Sequence, residues 1–256
     1  GSESLERAID WMMAEMKRDG LENVRGEPVM VPHWVRGNES VELVSPRSAK
    51  LAMLGLGGSV GTPPDGITAE VLVVGSFDEL TRRAAEAKGK IVLFDVPFTT
   101  YGQTVQYRVN GAIAAARAGA VASLIRSVAS GSMRNPHTGT MSYDTAVPRI
   151  PHAALSVEDA MMLRRMQNRG ERVVVRIKME GQTLPDAQSR NVIAEIRGRE
   201  FPAPQLLGTP PLAPFPGFPR NGDQPLTNFL KRGFLVLPYQ HAVERLYAGV
   251  GMRMNA

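Results

Sequence analysis

Leu5, Ala8, Ile9, Met12, Met13 and Met16 recur at the i, i+3, i+4, i+7 spacing of one helical face. That spacing predicts an amphipathic helix, stopped by Gly20. "PVMVPHWV" (28–35) and residues 41–44 then read as extended segments separated by a turn at Gly37 and Asn38. Residues 50–54 and 69–74 are short apolar runs of strand character, joined by the loop "GLGGSVGTPPDG". Ser76 is placed to cap a helix through "FDELTRRAAEAK", with Glu79 as its reciprocal partner in a capping box and Gly89 as the stop.

The second half repeats the alternation. "KIVLFDV" is a buried strand, "VQYRVNGAIAAARAGA" an alanine-rich helix and "VASLIRSV" a second buried strand. His152 opens a further strand, Ser156 caps a helix three residues before Asp159, Gly170 closes that helix, and residues 173–179 alternate as a strand. "EGQTLPDAQSR" reads as a linker, and "NVIAEI" (191–196) as a half-buried strand that soon gives way to the proline-rich "FPAPQLLGTPPLAPFPGFP". Strand, helix, strand, helix, strand in succession implies partly parallel pairing with helices packed on the sheet. There is no internal repeat of the kind a solenoid requires.

Composition narrows the picture. With 256 residues, 43% hydrophobic and 21% charged, the chain can bury a sizeable core. The formal charge of +5 does not mark a nucleic-acid surface, because from Gln205 onward Arg220, Lys231, Arg232, Arg245 and Arg253 oppose only Asp223 and Glu244. Elsewhere acids and bases alternate, and no aromatic and basic platform for stacked bases is present; no nucleic-acid partner is expected. The absence of cysteine removes disulfides, thiolate metal sites and a cysteine nucleophile together. No apolar run reaches the ~18–20 residues of a membrane span. The opening "GSESLERAID" has neither the basic nor the apolar region of a signal peptide, so none is expected in these residues.

Few residues carry candidate chemistry. "GLGGSVG" (55–61) is followed by Thr62, Pro63 and Pro64 rather than a helix N-terminus, which favours a plain turn over a phosphate cradle. His33, His137 and His152 share no helical ligand spacing; His33 suits a strand edge, and His137 in "NPHTG" is the candidate ligand or interface contact. Ser59, Ser127 and Ser130 lack the glycine setting of a nucleophile elbow. Asn38-Glu39-Ser40 makes Asn38 a candidate N-glycosylation acceptor in a turn. In the tail, "PLAPFPGFP" has PxxP spacing, read as disordered sequence without a partner, and residues 241–248 could form a short helix.

Taken together, "GITAEVLVVGSFDEL", "AKGKIVLFDVPF", "AARAGAVASLIRSV", "VPRIPHAALSVEDAMML" and "VVVRIKMEGQTLPDAQSRNVIAEI" resemble the protease-associated (PA) domain inserted in several zinc exopeptidases. "DGLENVRGEPVMVPHWVRGNES", "LGLGGSVGTPP", "TVQYRVNGA" and "SVASGSMRNPHTG" resemble, more narrowly, the carboxypeptidase Q or plasma glutamate carboxypeptidase family. The resemblance implies an α+β fold: a PA domain of mixed β-sheets with flanking helices, plus a helix and strands of an incomplete α/β zinc peptidase lobe. The implied division is 1–37 for the helix and strand of the peptidase lobe, 38–182 for the PA domain, 183–204 for a linker and return strand, and 205–256 for a disordered tail outside the family pattern.

In that family two zinc ions bridged by carboxylate, with a glutamate base, activate water against a peptide bond. The motifs that would hold them should follow "NVIAEIRG". After Ala203, however, the only acids are Asp223 and Glu244 and the only histidine is His241. The expectation is therefore a zinc metallocarboxypeptidase or dipeptidase portion with no catalytic and no metal-ligating residues of its own, no zinc bound and no activity alone. The resemblance further implies peptide substrates for the parent family and a secreted or lysosomal location. The alternative expectation is a protein-binding module that forms a homodimer or covers a substrate cleft.

Overall fold

The computed structural model describes residues 2–131 and 133–195, and the backbone of a short strand at Phe234–Val236. Asp223, His241, Glu244, the PxxP stretch and the helix expected over 241–248 lie outside the described residues. The first half runs α1 (Glu3–Arg18), β1 (Glu22–Val35), β2 (Glu39–Ser45), β3 (Ala49–Leu51), β4 (Met53–Gly55), β5 (Ile67–Val74), α2 (Phe77–Arg82) and α3 (Ala84–Ala87). The second runs β6 (Ile91–Phe94), α4 (Tyr101–Arg117), β7 (Ala122–Arg126), β8 (His152–Leu155), α5 (Val157–Asn168), β9 (Val174–Met179), β10 (Gln182–Glu195) and β11 (Phe234–Val236).

The chain divides into two compact units, Gly1–His33 with Pro185–Ala256, and Trp34–Leu184, the boundaries falling within β1 and β10. In the first, α1 starts where Ser2 accepts a hydrogen bond from the Leu5 amide and ends beside Gly20, whose φ of 83° suits the reversal. Glu3 and Glu6 in its first turn and Lys17 and Arg18 in its last oppose the helix dipole. Arg190 of β10 ties the helix down through Glu6 (3.2 Å) and Asp10 (2.8 Å). The sheet of this unit has the order β1-β10-β11, with Ile193, Ala194 and Glu195 paired antiparallel to Val236, Leu235 and Phe234. The stretch expected as a linker is thus part of a 14-residue strand. Its Gly, Pro and Asp weaken strand propensity, and pairing with β1 outweighs that weakness.

The second unit is an eight-stranded mixed sheet of order β3-β2-β9-β5-β6-β7-β8-β4, parallel from β5 to β8 as the alternation of strands and helices implies. Side chains alternate between two buried faces. Val71, Val73, Ile91, Leu93 and Leu124 point to a core shared with β2, β9 and α5; Leu72, Val74, Val92, Phe94 and Ile125 point to a second core under α2, α3 and α4. Continuous apolar runs are what strands covered on both sides require.

The two end strands of this sheet, β3 and β4, are consecutive in sequence with only Ala52 between them, so the sheet curls until its borders meet. Residues 50–54, expected as one strand, are therefore two: β3 pairs with β2 and β4 with β8. Helix α5 fills both places where the hydrogen-bond ladders part. At Ala52 the amide donates to Asp159 Oδ2 (2.7 Å) and the carbonyl accepts from the Ser156 amide (3.0 Å). On β5, pairing passes from β9 to β6 after Glu70, and the amide and carbonyl of Val73 bond to Gln167 Oε1 (2.8 Å) and Nε2 (3.0 Å). The helix expected through residue 88 is also interrupted, at Arg83, whose backbone leaves the helical region. Ser76 does cap α2, but Glu79 returns its bond to the Gly75 amide (2.6 Å) rather than to Ser76.

Candidate functional site

Helix α4 begins after Thr100, whose hydroxyl accepts from the Gln103 amide, so Tyr101 stands in the first turn and is exposed. Arg108 follows seven residues later on the same face, among Thr104, Gly111, Ala112 and Ala115, which are all buried. Its side chain is itself buried, at 6% exposure. Nη2 donates to the Tyr101 hydroxyl (2.6 Å), Nη1 donates to the Thr138 carbonyl (3.2 Å), and the guanidinium carbon lies 5.5 Å from the centre of the Tyr101 ring. Nε is buried without a hydrogen-bond partner, and among the described residues no carboxylate pairs with Arg108. A guanidinium keeps its charge in any protein setting, so this one is held by neutral oxygens and a π face.

The loop carrying His137 closes over Arg108. The His137 amide donates to Ser127 Oγ (2.8 Å), which in turn donates to the Leu155 carbonyl (2.5 Å). Gly139 packs directly on Arg108, since a Cβ there would come 2.4 Å from the guanidinium carbon and the guanidinium would have to shift. His137 itself is exposed, and partial burial with the nearby Arg108 charge pushes its pKa below the usual histidine range. Sequence reading singled out His137 but passed over Tyr101 and Arg108. A signal existed: a charge set among small residues on the buried face of an alanine-rich helix.

The remaining candidates are structural. His152 is fully buried, with Nδ1 3.2 Å from the Ser123 carbonyl and Nε2 3.2 Å from the Arg108 carbonyl, and burial lowers its pKa to about 4. Ser59 Oγ accepts from the His152 amide and donates to the Val60 carbonyl, so neither it nor Ser127 is free to act as a nucleophile; Ser130 is exposed. In the glycine loop the amides of Leu56, Gly57, Ser59 and Val60 are spent on His152, Gly139, Leu56 and Tyr143, which leaves no cradle for phosphate. His33 is half-buried on β1. Asn38 is exposed after Gly37 (φ 66°), its backbone amide and Nδ2 both donating to Glu180 Oε2.

A zinc site asks for at least three converging histidine, cysteine or carboxylate donors. Among the described residues there is no such group, so they do not fit the zinc pair. No helix among them is long and apolar enough to cross a membrane, which leaves β-barrels unaddressed.

No protein-family model matches the chain. Among solved structures, a peptidase M28 precursor from Shewanella amazonensis is 36% identical with a TM-score of 0.73, covering 77% of this chain and 46% of that one. An aminopeptidase from Aneurinibacillus sp. strain AM-1, 19% identical with a TM-score of 0.51, covers 77% of this chain and 44% of its own and shares the fold alone. The α and β elements described above are thus those of a portion of an M28-type peptidase. Carboxypeptidase Q of Bos taurus is 56% identical over 207 residues, 81% of this chain, and that of Homo sapiens is 55% identical over the same length. Carboxypeptidase Q of Xenopus laevis is 54% identical over 202 residues. The chain belongs to the carboxypeptidase Q family, and it spans 44% of the length of the Bos taurus and Homo sapiens relatives.

Proposed function

We propose that this chain supplies the non-catalytic portion of a zinc-dependent peptidase that hydrolyses dipeptides or short peptides. In this reading residues 38–182 are a PA domain, residues 1–37 and 183–204 are the helix, linker and strands of a peptidase lobe, and residues 205–256 depart from the family pattern. The observation that carries it is an identity of 56% with a carboxypeptidase Q over 207 residues, together with the lack, among the described residues, of donors that fit a zinc pair. Bound to the whole family protein, zinc would supply an activated water. The 256 residues alone turn over no peptide, and the parent protein follows a secretory or lysosomal route. The test is a dipeptide hydrolysis assay on the purified chain with and without added zinc. No turnover is expected; hydrolysis abolished by a chelator and restored by zinc would overturn the reading.

A second reading, association as a homodimer, is favoured by Trp11 and Met30, which are 55% and 60% exposed on α1 and β1. Sedimentation of the chain and of Trp11→Glu at micromolar concentration distinguishes the two. A monomeric wild type, or a dimer indifferent to the substitution, removes it.

A further inference from the structure

We propose that Tyr101, Arg108 and His137 border a binding site for a carboxylate. Arg108 carries a buried positive charge without a paired acid: it is 6% exposed, no acid among the described residues bonds to it, and its Nε, out of reach of solvent, lacks a partner. Charges removed from water are ordinarily matched by an opposite charge. Here the matches are a phenol oxygen, a peptide carbonyl and an aromatic face.

Tyr101 gives that charge a route to solvent. Its oxygen accepts from Nη2, so its own proton is left to donate outward, and among the described residues it has no acceptor. Tyr101 is 48% exposed, so a ligand can approach this residue where the buried guanidinium is out of direct reach. His137 is exposed and directly precedes Thr138, whose carbonyl accepts from Arg108 Nη1. One cation with one outward O–H donor suits a single negative charge, whereas a phosphate dianion would leave charge uncompensated. The proposal does not depend on the zinc reading, since none of these residues is asked to hold a metal or to react.

The experiment is a titration of the full isotope-labelled chain with N-acetylglycine, N-acetylglycinamide and inorganic phosphate, followed through the amide resonances of Tyr101, Thr138 and Gly139. N-acetylglycine should shift them saturably with about millimolar affinity, and the uncharged amide should not. Tyr101→Phe keeps the ring over the guanidinium but removes the hydroxyl. It should weaken N-acetylglycine about tenfold and lower the melting temperature, because Arg108 Nη2 loses its acceptor, while the dispersed amide spectrum shows that the variant titrated is folded. Equal shifts from acid and amide, no shift at all, tighter binding of phosphate, or wild-type affinity in Tyr101→Phe would each overturn the proposal.

Discussion

His152 makes the stability of the second unit depend on mild acid. Its ring is inaccessible, with carbonyl oxygens of Ser123 and Arg108 at its two nitrogens. Gly111 presses close enough that a Cβ there would lie 3.0 Å from the imidazole. A neutral ring has one N–H and serves one carbonyl; a protonated ring would serve both, yet burial outweighs that gain and lowers the folded pKa from 6.5 to about 4. Above pH 6.5 both folded and unfolded chains carry a neutral ring and the full stability is present. As pH falls below 6.5 the unfolded chain takes up a proton that the folded chain refuses, so stability drops until the folded ring titrates near 4. The gap corresponds to about 3 kcal/mol in total, of which about 1 kcal/mol is already lost by pH ~5.5, before most carboxylates protonate. His137, also lowered, adds in the same direction. Urea unfolding followed by circular dichroism across this range, on the wild type and on His152→Asn, is the assay. The substitution lowers stability overall but should flatten the pH slope between ~7 and ~5.5. A variant with an undiminished slope would refute the assignment.

Gln167→Ala should cost about 1–2 kcal/mol, because it strands the amide of Val73 where no neighbouring strand can reach it and leaves the carbonyl only the longer bond from Arg83 Nη1 (3.4 Å); denaturant midpoints measure it. Gly139→Ala should destabilise by about 1 kcal/mol by displacing the Arg108 guanidinium from its bonds to Tyr101 and Thr138, and should alter the amide resonance of Thr138. Asn38 is exposed in its turn, so expression through a glycosylating secretory route should yield a mobility shift that Asn38→Gln abolishes, with little loss of stability because the backbone amide keeps its bond to Glu180 when the Nδ2 bond is removed.

What could be read from the sequence was what local chemistry settles. Ser2, Ser76, Thr100 and Ser156 all accept bonds from helix amides, and the expected caps at Ser76 and Ser156 fall where hydroxyl spacing put them. The parallel strands β5 to β7 follow from apolar runs separated by a helical period. Non-local features were hidden. Nothing in "KLAML" announces that pairing changes partner at Ala52, because the cause is Asp159 and Ser156, more than a hundred residues away. The strand character of "QTLPDAQSR" depends on β1 in the same way. At the candidate site, His137 was visible as a loop histidine, but the meaning of Arg108 required knowing that the surrounding helix face was buried and that no acid among the described residues pairs with it.

Because α5 completes two separate backbone ladders with its own side chains, a fluctuation that lifts this helix uncovers donors and acceptors at Val73 and Ala52 at once. Exchange of those two amide protons with deuterated solvent should thus be governed by one common opening event, and the curled sheet should melt as a single block rather than peel from a loose border.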